Sequence, residues 1–108
     1  MTEPRSDPPL VLAPARRLDS ATAPDFEAEL LRRIDEGAAA VLLDCSTMDY
    51  ISSAGLRVIL RAGKRLRAGG GRLALCGLTE DCLEAFRISG FDTLFPLYAS
   101  VDEGLRRS

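Results

Sequence analysis

Two short runs constrain this chain more than any other feature: Ala40-Val41-Leu42-Leu43-Asp44 and Arg72-Leu73-Ala74-Leu75-Cys76. Each is continuously apolar rather than alternating, which predicts a strand covered on both faces. Helix-like segments flank them. Phe26, Leu30, Leu31 and Ile34 recur at helical spacing and define a one-faced helix over about 24–36. Pro24 suits its first turn, Thr22 or Ala23 its cap, and Gly37 its end. A long helix is predicted from near Ser53 to Ala68, with Leu56, Ile59, Leu60, Gly63 and Leu66 as its inner stripe. Thr79 caps a third helix through Ile88, with Leu83, Phe86 and Ile88 apolar and Gly90 closing it. Ser100 caps a last short helix to Arg107.

The remaining strands are shorter. Leu10–Leu12 is followed by Pro14, which denies a central ladder bond and predicts an edge; Arg16-Arg17-Leu18 can resume the strand. Cys45–Tyr50 reads as a loop, and Leu94–Tyr98 as a second edge strand because it contains Pro96. Strand and helix therefore alternate four times. That order predicts an α/β fold with a single-layer mixed, mainly parallel sheet of four to five strands and helices packed on it. Residues 1–9, with three prolines and three charges, are expected to form a flexible leader to a single domain over 10–108.

At 108 residues there is room for one core and none for separate cofactor and substrate domains. The apolar fraction of 46% and the net charge of −2 describe a globular chain without the basic excess of a nucleic-acid binder. Histidine is absent, which removes the commonest general base and the commonest metal ligand. Cys45, Cys76 and Cys82 are too few and scattered for a disulfide framework or a zinc site. Cys45 and Cys76 read as small buried hydrophobes. Residues 1–9 have no apolar signal core and the longest apolar run, 37–43, is too short to span a bilayer. The expectation is a cytoplasmic domain with no membrane, nucleic-acid, metal or cofactor partner, monomeric when free.

Few residues invite chemistry. Gly69-Gly70-Gly71 follows a helix and precedes a strand, the reverse of a phosphate-binding turn, and reads as a helix stop. Asp19, Asp44 and Asp49 stand at junctions without a histidine or lysine beside them, as loop-tying aspartates do. Arg57, Arg61, Lys64, Arg65 and Arg67 give the long helix a basic outer face, which reads first as solvated and otherwise as a contact for an acidic partner or nucleic acid. Ser52-Ser53 is the most informative pair. One serine caps the helix, and the free N–H groups of a helix start also favour a phosphate there.

Asp44-Cys45-Ser46-Thr47-Met48-Asp49-Tyr50-Ile51-Ser52-Ser53-Ala54-Gly55-Leu56-Arg57-Val58 resembles the signature of STAS domains of the bacterial anti-sigma factor antagonist group. Leu18-Asp19-Ser20-Ala21-Thr22-Ala23, Gly71–Gly77 and Phe86–Phe91 are similar to further parts of that pattern, so the resemblance covers about 10–107. It implies a non-enzymatic binding module that switches partners. The unphosphorylated form would bind an anti-sigma factor that is also a serine kinase; phosphorylation of Ser53, with Ser52 as a second candidate, would release it; a serine phosphatase would reset it. The partner-binding surface would include Asp19, Asp44, Ser46, Ser52, Ser53, Ala54, Gly55, Arg57 and Arg61. Ser52 stands where members of the group often carry aspartate, and Arg17 where they usually carry glycine. A constitutive adaptor subunit, as in a lipid-transport complex, is the alternative.

Overall fold

The computed structural model describes residues 9–107, so the leader expected over 1–9 lies outside the described residues apart from Pro9. Its elements are β1 (Leu10–Leu12), β2 (Arg17–Leu18), α1 (Ala23–Asp35), β3 (Ala40–Asp44), β4 (Tyr50–Ile51), α2 (Ser53–Ala68), β5 (Arg72–Cys76), α3 (Glu80–Ser89), a 3-10 turn (Phe91–Thr93), β6 (Leu97–Tyr98) and α4 (Val101–Arg107). The main sheet has four strands in the order β1-β3-β5-β6, and every pairing is parallel. β1 and β6 are the edges, where Pro14 and Pro96 pointed.

The register explains why β3 and β5 read as unbroken apolar runs. Val41 and Leu43 face a main core with Leu73 and Leu75, shared with Leu30, Val58, Ile59, Ala62, Leu66 and Phe86 of α1, α2 and α3. Leu42, Ala74 and Cys76 point the other way, into a smaller cluster with Tyr98 and Val101. There α4 lies so close that a Cβ on Gly104 would stand 2.8 Å from Leu42 Cδ2. Three helices thus cover one face and a short one covers the other.

Several expectations change. Arg17–Leu18 does not resume β1; it pairs in parallel with Tyr50–Ile51 in a separate two-stranded ribbon. Residues 45–50 are accordingly not all loop. The last strand is only Leu97–Tyr98, because Gly90, at φ 81°, ends α3 and the chain coils through the 3-10 turn first. The inner face of α2 is also rotated from the predicted stripe. Gly55, Val58, Ile59, Ala62, Gly63 and Leu66 are buried, whereas Leu56 and Leu60 are only partly so. Ile88, counted as a packing residue of α3, is 80% exposed.

Candidate functional site

The start of α2 is built by the β2–β4 ribbon. Leu18 pairs with Ile51, and the Leu18 carbonyl accepts the Ser52 N–H at 2.9 Å. That bond holds Ser52 in extended backbone, at φ −98° and ψ 175°, as an N-cap requires. Ser52 Oγ accepts the Gly55 N–H at 3.4 Å, and its carbonyl accepts the Leu56 N–H at 2.9 Å. Ser52 is therefore the cap and Ser53 the first helical residue. Ser53 is exposed, Ala54 half-buried and Gly55 buried. A Cβ on Gly55 would lie 2.7 Å from the Leu18 carbonyl oxygen, so glycine here lets the helix start touch β2. Gly55, expected as contact surface, is buried, and its evident role is this close approach.

The charge distribution at this end is unusual within the molecule. α1 has Asp25 and α3 has Glu80 and Asp81 in the first turn, but α2 has no acid there. Its partial positive charge is uncompensated by its own sequence. The Ser53 and Ala54 N–H groups have no acceptor among the described residues. Arg57 is exposed one turn further on, at i+4 from Ser53, with no ion-pair partner among the described residues.

The other expected residues divide into neighbours and supports. Asp19 follows Leu18 just as Ser52 follows Ile51, so the ribbon sets these two chain segments side by side. Its Oδ1 accepts the N–H groups of Ala21 at 3.0 Å and Thr22 at 3.2 Å. Those bonds hold the Asp19 carboxyl below its ordinary value and tie down the turn into α1. Thr22 is the N-cap residue of α1 but makes no side-chain cap bond; its hydroxyl donates instead to the Arg17 carbonyl at 2.6 Å. Asp44 ends β3, where its Oδ1 accepts the Ser46 N–H at 3.1 Å, and Ser46 is exposed. Both aspartates act first as turn-makers.

Arg61 is not free. It grips Glu27 of α1 at 2.6 and 2.9 Å, and that hydrogen bonding lowers the Glu27 carboxyl and raises the Arg61 guanidinium. Arg65 pairs likewise with Asp35. Two of the five cations of the one-sign basic face seen in the sequence are therefore paired with α1, a fact that only packing reveals. Sequence reasoning marked Arg17 only as a departure from the family pattern and missed its contacts: its guanidinium lies 4.3 Å from the centre of the Tyr50 ring and 3.7 Å from Asp19. An arginine two residues before an aspartate gave no signal of those contacts, because Tyr50 reaches it only through the ribbon.

Cys45, Cys76 and Cys82 are buried free thiols, and burial pushes Cys45 and Cys76 above the ordinary thiol range. No group of three or more metal-ligating side chains occurs among the described residues, and no described helix is long and apolar enough to cross a membrane.

A profile of the STAS domain matches residues 2–104. The chain belongs to the STAS domain family. A Bordetella bronchiseptica protein named as a candidate anti-sigma factor antagonist, BtrV, is 49% identical to this STAS domain over 80 residues, spanning 74% of this chain and 69% of the relative. A solved candidate anti-sigma factor antagonist from Thermotoga maritima superposes with a TM-score of 0.86 at 22% identity, over 90% of this chain and 84% of the other. The antagonist SpoIIAA gives 0.81 at 20% identity in its unphosphorylated form, over 96% and 91% of the two chains. Its phosphorylated Bacillus form gives 0.71 at 21%, over 90% and 87%. At such identities the structural likeness speaks for the fold of this STAS domain alone.

Proposed function

We propose that this STAS domain is an anti-sigma factor antagonist, a non-enzymatic partner switch that binds an anti-sigma factor while Ser53 is free and lets go when Ser53 is phosphorylated. One observation carries the reading: an exposed serine opens a sixteen-residue helix whose first turn holds no acid. The relationship to BtrV supports the partner class, and SpoIIAA, of the same fold, exists in a phosphorylated form.

The chemistry is local. A phosphate on Ser53 adds about −1.5 to −2 charge at neutral pH. The free Ser53 and Ala54 N–H groups, the helix dipole and Arg57 all favour that charge where it forms, so the fold need not change. What changes is the surface: a small, uncharged contact becomes a bulky dianion that a partner built for the hydroxyl must desolvate. Ser52 is the weaker acceptor, since its Oγ is engaged as the cap.

The test is incubation with the cognate anti-sigma factor kinase and ATP, followed by mapping of phosphate by mass spectrometry. Phosphate should appear on Ser53. Calorimetry should show Ser53→Ala binding the anti-sigma factor like the natural chain and Ser53→Asp binding at least about tenfold more weakly, a loss of about 1.4 kcal/mol. Phosphate on neither serine, together with unimpaired binding by Ser53→Asp, would sink the proposal.

A further inference from the structure

The two sides of α2 differ in a way that marks out a second surface. Arg61 and Arg65 lean toward α1 and are held there by Glu27 and Asp35. Arg57, Leu60, Lys64 and Arg67 follow one another at i, i+3, i+7 and i+10, so they form a single stripe that begins one turn after Ser53. Arg57 and Lys64 are exposed and have no ion-pair partner among the described residues. Arg67 is exposed and only hydrogen-bonds the Leu94 carbonyl, at 3.4 Å. Between these cations lies an apolar dent of about 100 Å³, floored by Leu60, Gly63, Leu94 and Phe95. Leu94 is 42% exposed, whereas Phe95 is 6% exposed and packed firmly in place. Its ring leaves no room for a side chain at Gly63, where a Cβ would meet Phe95 Cζ at 2.8 Å, so the floor of the dent is set by core packing.

We propose that this stripe docks an acidic amphipathic segment of a protein partner, its carboxylates on Arg57, Lys64 and Arg67 and one aliphatic side chain in the dent. Charge complementarity decides the occupant. Three cations that form no ion pair among the described residues repel a basic segment and favour an acidic one. An aliphatic anchor in a preformed apolar dent supplies the affinity that exposed charge pairs alone do not. The inference goes beyond the Ser53 switch, because it needs no phosphate and concerns a surface extending from Arg57 to Phe95.

The probe is a synthetic glutamate/leucine amphipathic peptide, titrated into the isotope-labelled chain and followed by amide chemical shifts. Saturable shifts should centre on Lys64, Arg67, Leu94 and Phe95 and weaken as salt rises. Lys64→Glu should weaken binding at least tenfold, Lys64→Gln by less, and Arg106→Glu, on α4 across the sheet, should leave it unchanged. The idea is overturned if no saturable shifts appear up to millimolar peptide, if they map elsewhere, or if a lysine/leucine peptide binds as tightly. It is equally overturned if phosphatidylglycerol vesicles bind and the peptide does not. Ser53 phosphorylation is read separately, so failure here leaves the switch standing, and failure of the switch leaves the stripe standing.

Discussion

Replacing Gly55 by alanine tests the account of the helix start, because two opposing effects can be sized. In an exposed helix interior the change would stabilise by about 1 kcal/mol, the gap in helix propensity between the two residues. Here the new methyl would stand 2.7 Å from the Leu18 carbonyl oxygen, 2.9 Å from Leu18 Cγ and 2.9 Å from Ile51 Cγ1. Leu18 is fully buried and Ile51 is 8% exposed, so neither side chain can swing into solvent. The carbonyl cannot retreat either without losing the Ser52 N–H bond that positions the cap. Overpacking of this kind costs about 1–3 kcal/mol, and contact with backbone puts it at the upper end. About 3 against about 1 leaves Gly55→Ala destabilised by about 2 kcal/mol. Thermal unfolding followed by circular dichroism should show the midpoint falling by about 8–16 °C for a domain of this size. Hydrogen exchange should show the Ser52 amide losing protection before the amides of β3. An unchanged or raised midpoint would refute the reasoning, since the propensity gain would then have won and the approach of β2 to α2 would be slack.

Two further outcomes follow from the same geometry. Ser52→Ala removes the cap acceptor and should cost about 0.5–1 kcal/mol, the low end for a bond as long as 3.4 Å, whereas Ser52→Asp should keep the cap and lose no stability; urea titration of the three chains checks this order. The Glu27–Arg61 pair should contribute only a small stabilisation at neutral pH, because Arg61 is largely exposed and solvent screens the pair. Because the pair lowers the folded-state value of Glu27, its contribution is present above the unfolded carboxyl value of about 4.3 and is lost as pH falls through the lower folded value. The stability difference between the natural chain and Glu27→Gln should therefore vanish only in that acid range; a difference that persists below it, or that disappears near pH 7, contradicts the assignment.

Much of this molecule was legible from its residues. The β3 and β5 runs announced strands covered on both faces because no polar residue interrupts them, and register places Leu42 against α4 and Val41 and Leu43 against the other helices. Caps and stops acted through local backbone chemistry, so Thr79, Ser100 and Gly90 behave as their types require. The short serine pair at the start of α2 was visible for the same reason. Nonlocal contacts were not. Two-residue strands carry no period, so the β2–β4 ribbon that aligns Asp19 with Ser52 exists only in the folded chain. The sequence by itself determined the α/β order, the start of α2 and the serine pair that stands there, all consequences of interactions spanning a few residues. Tertiary packing decided the rest. It made Gly55 a contact point instead of a surface, tied Arg61 and Arg65 to α1, and left Arg57 and Lys64 without partners among the described residues, because charge pairing between helices depends on which faces meet.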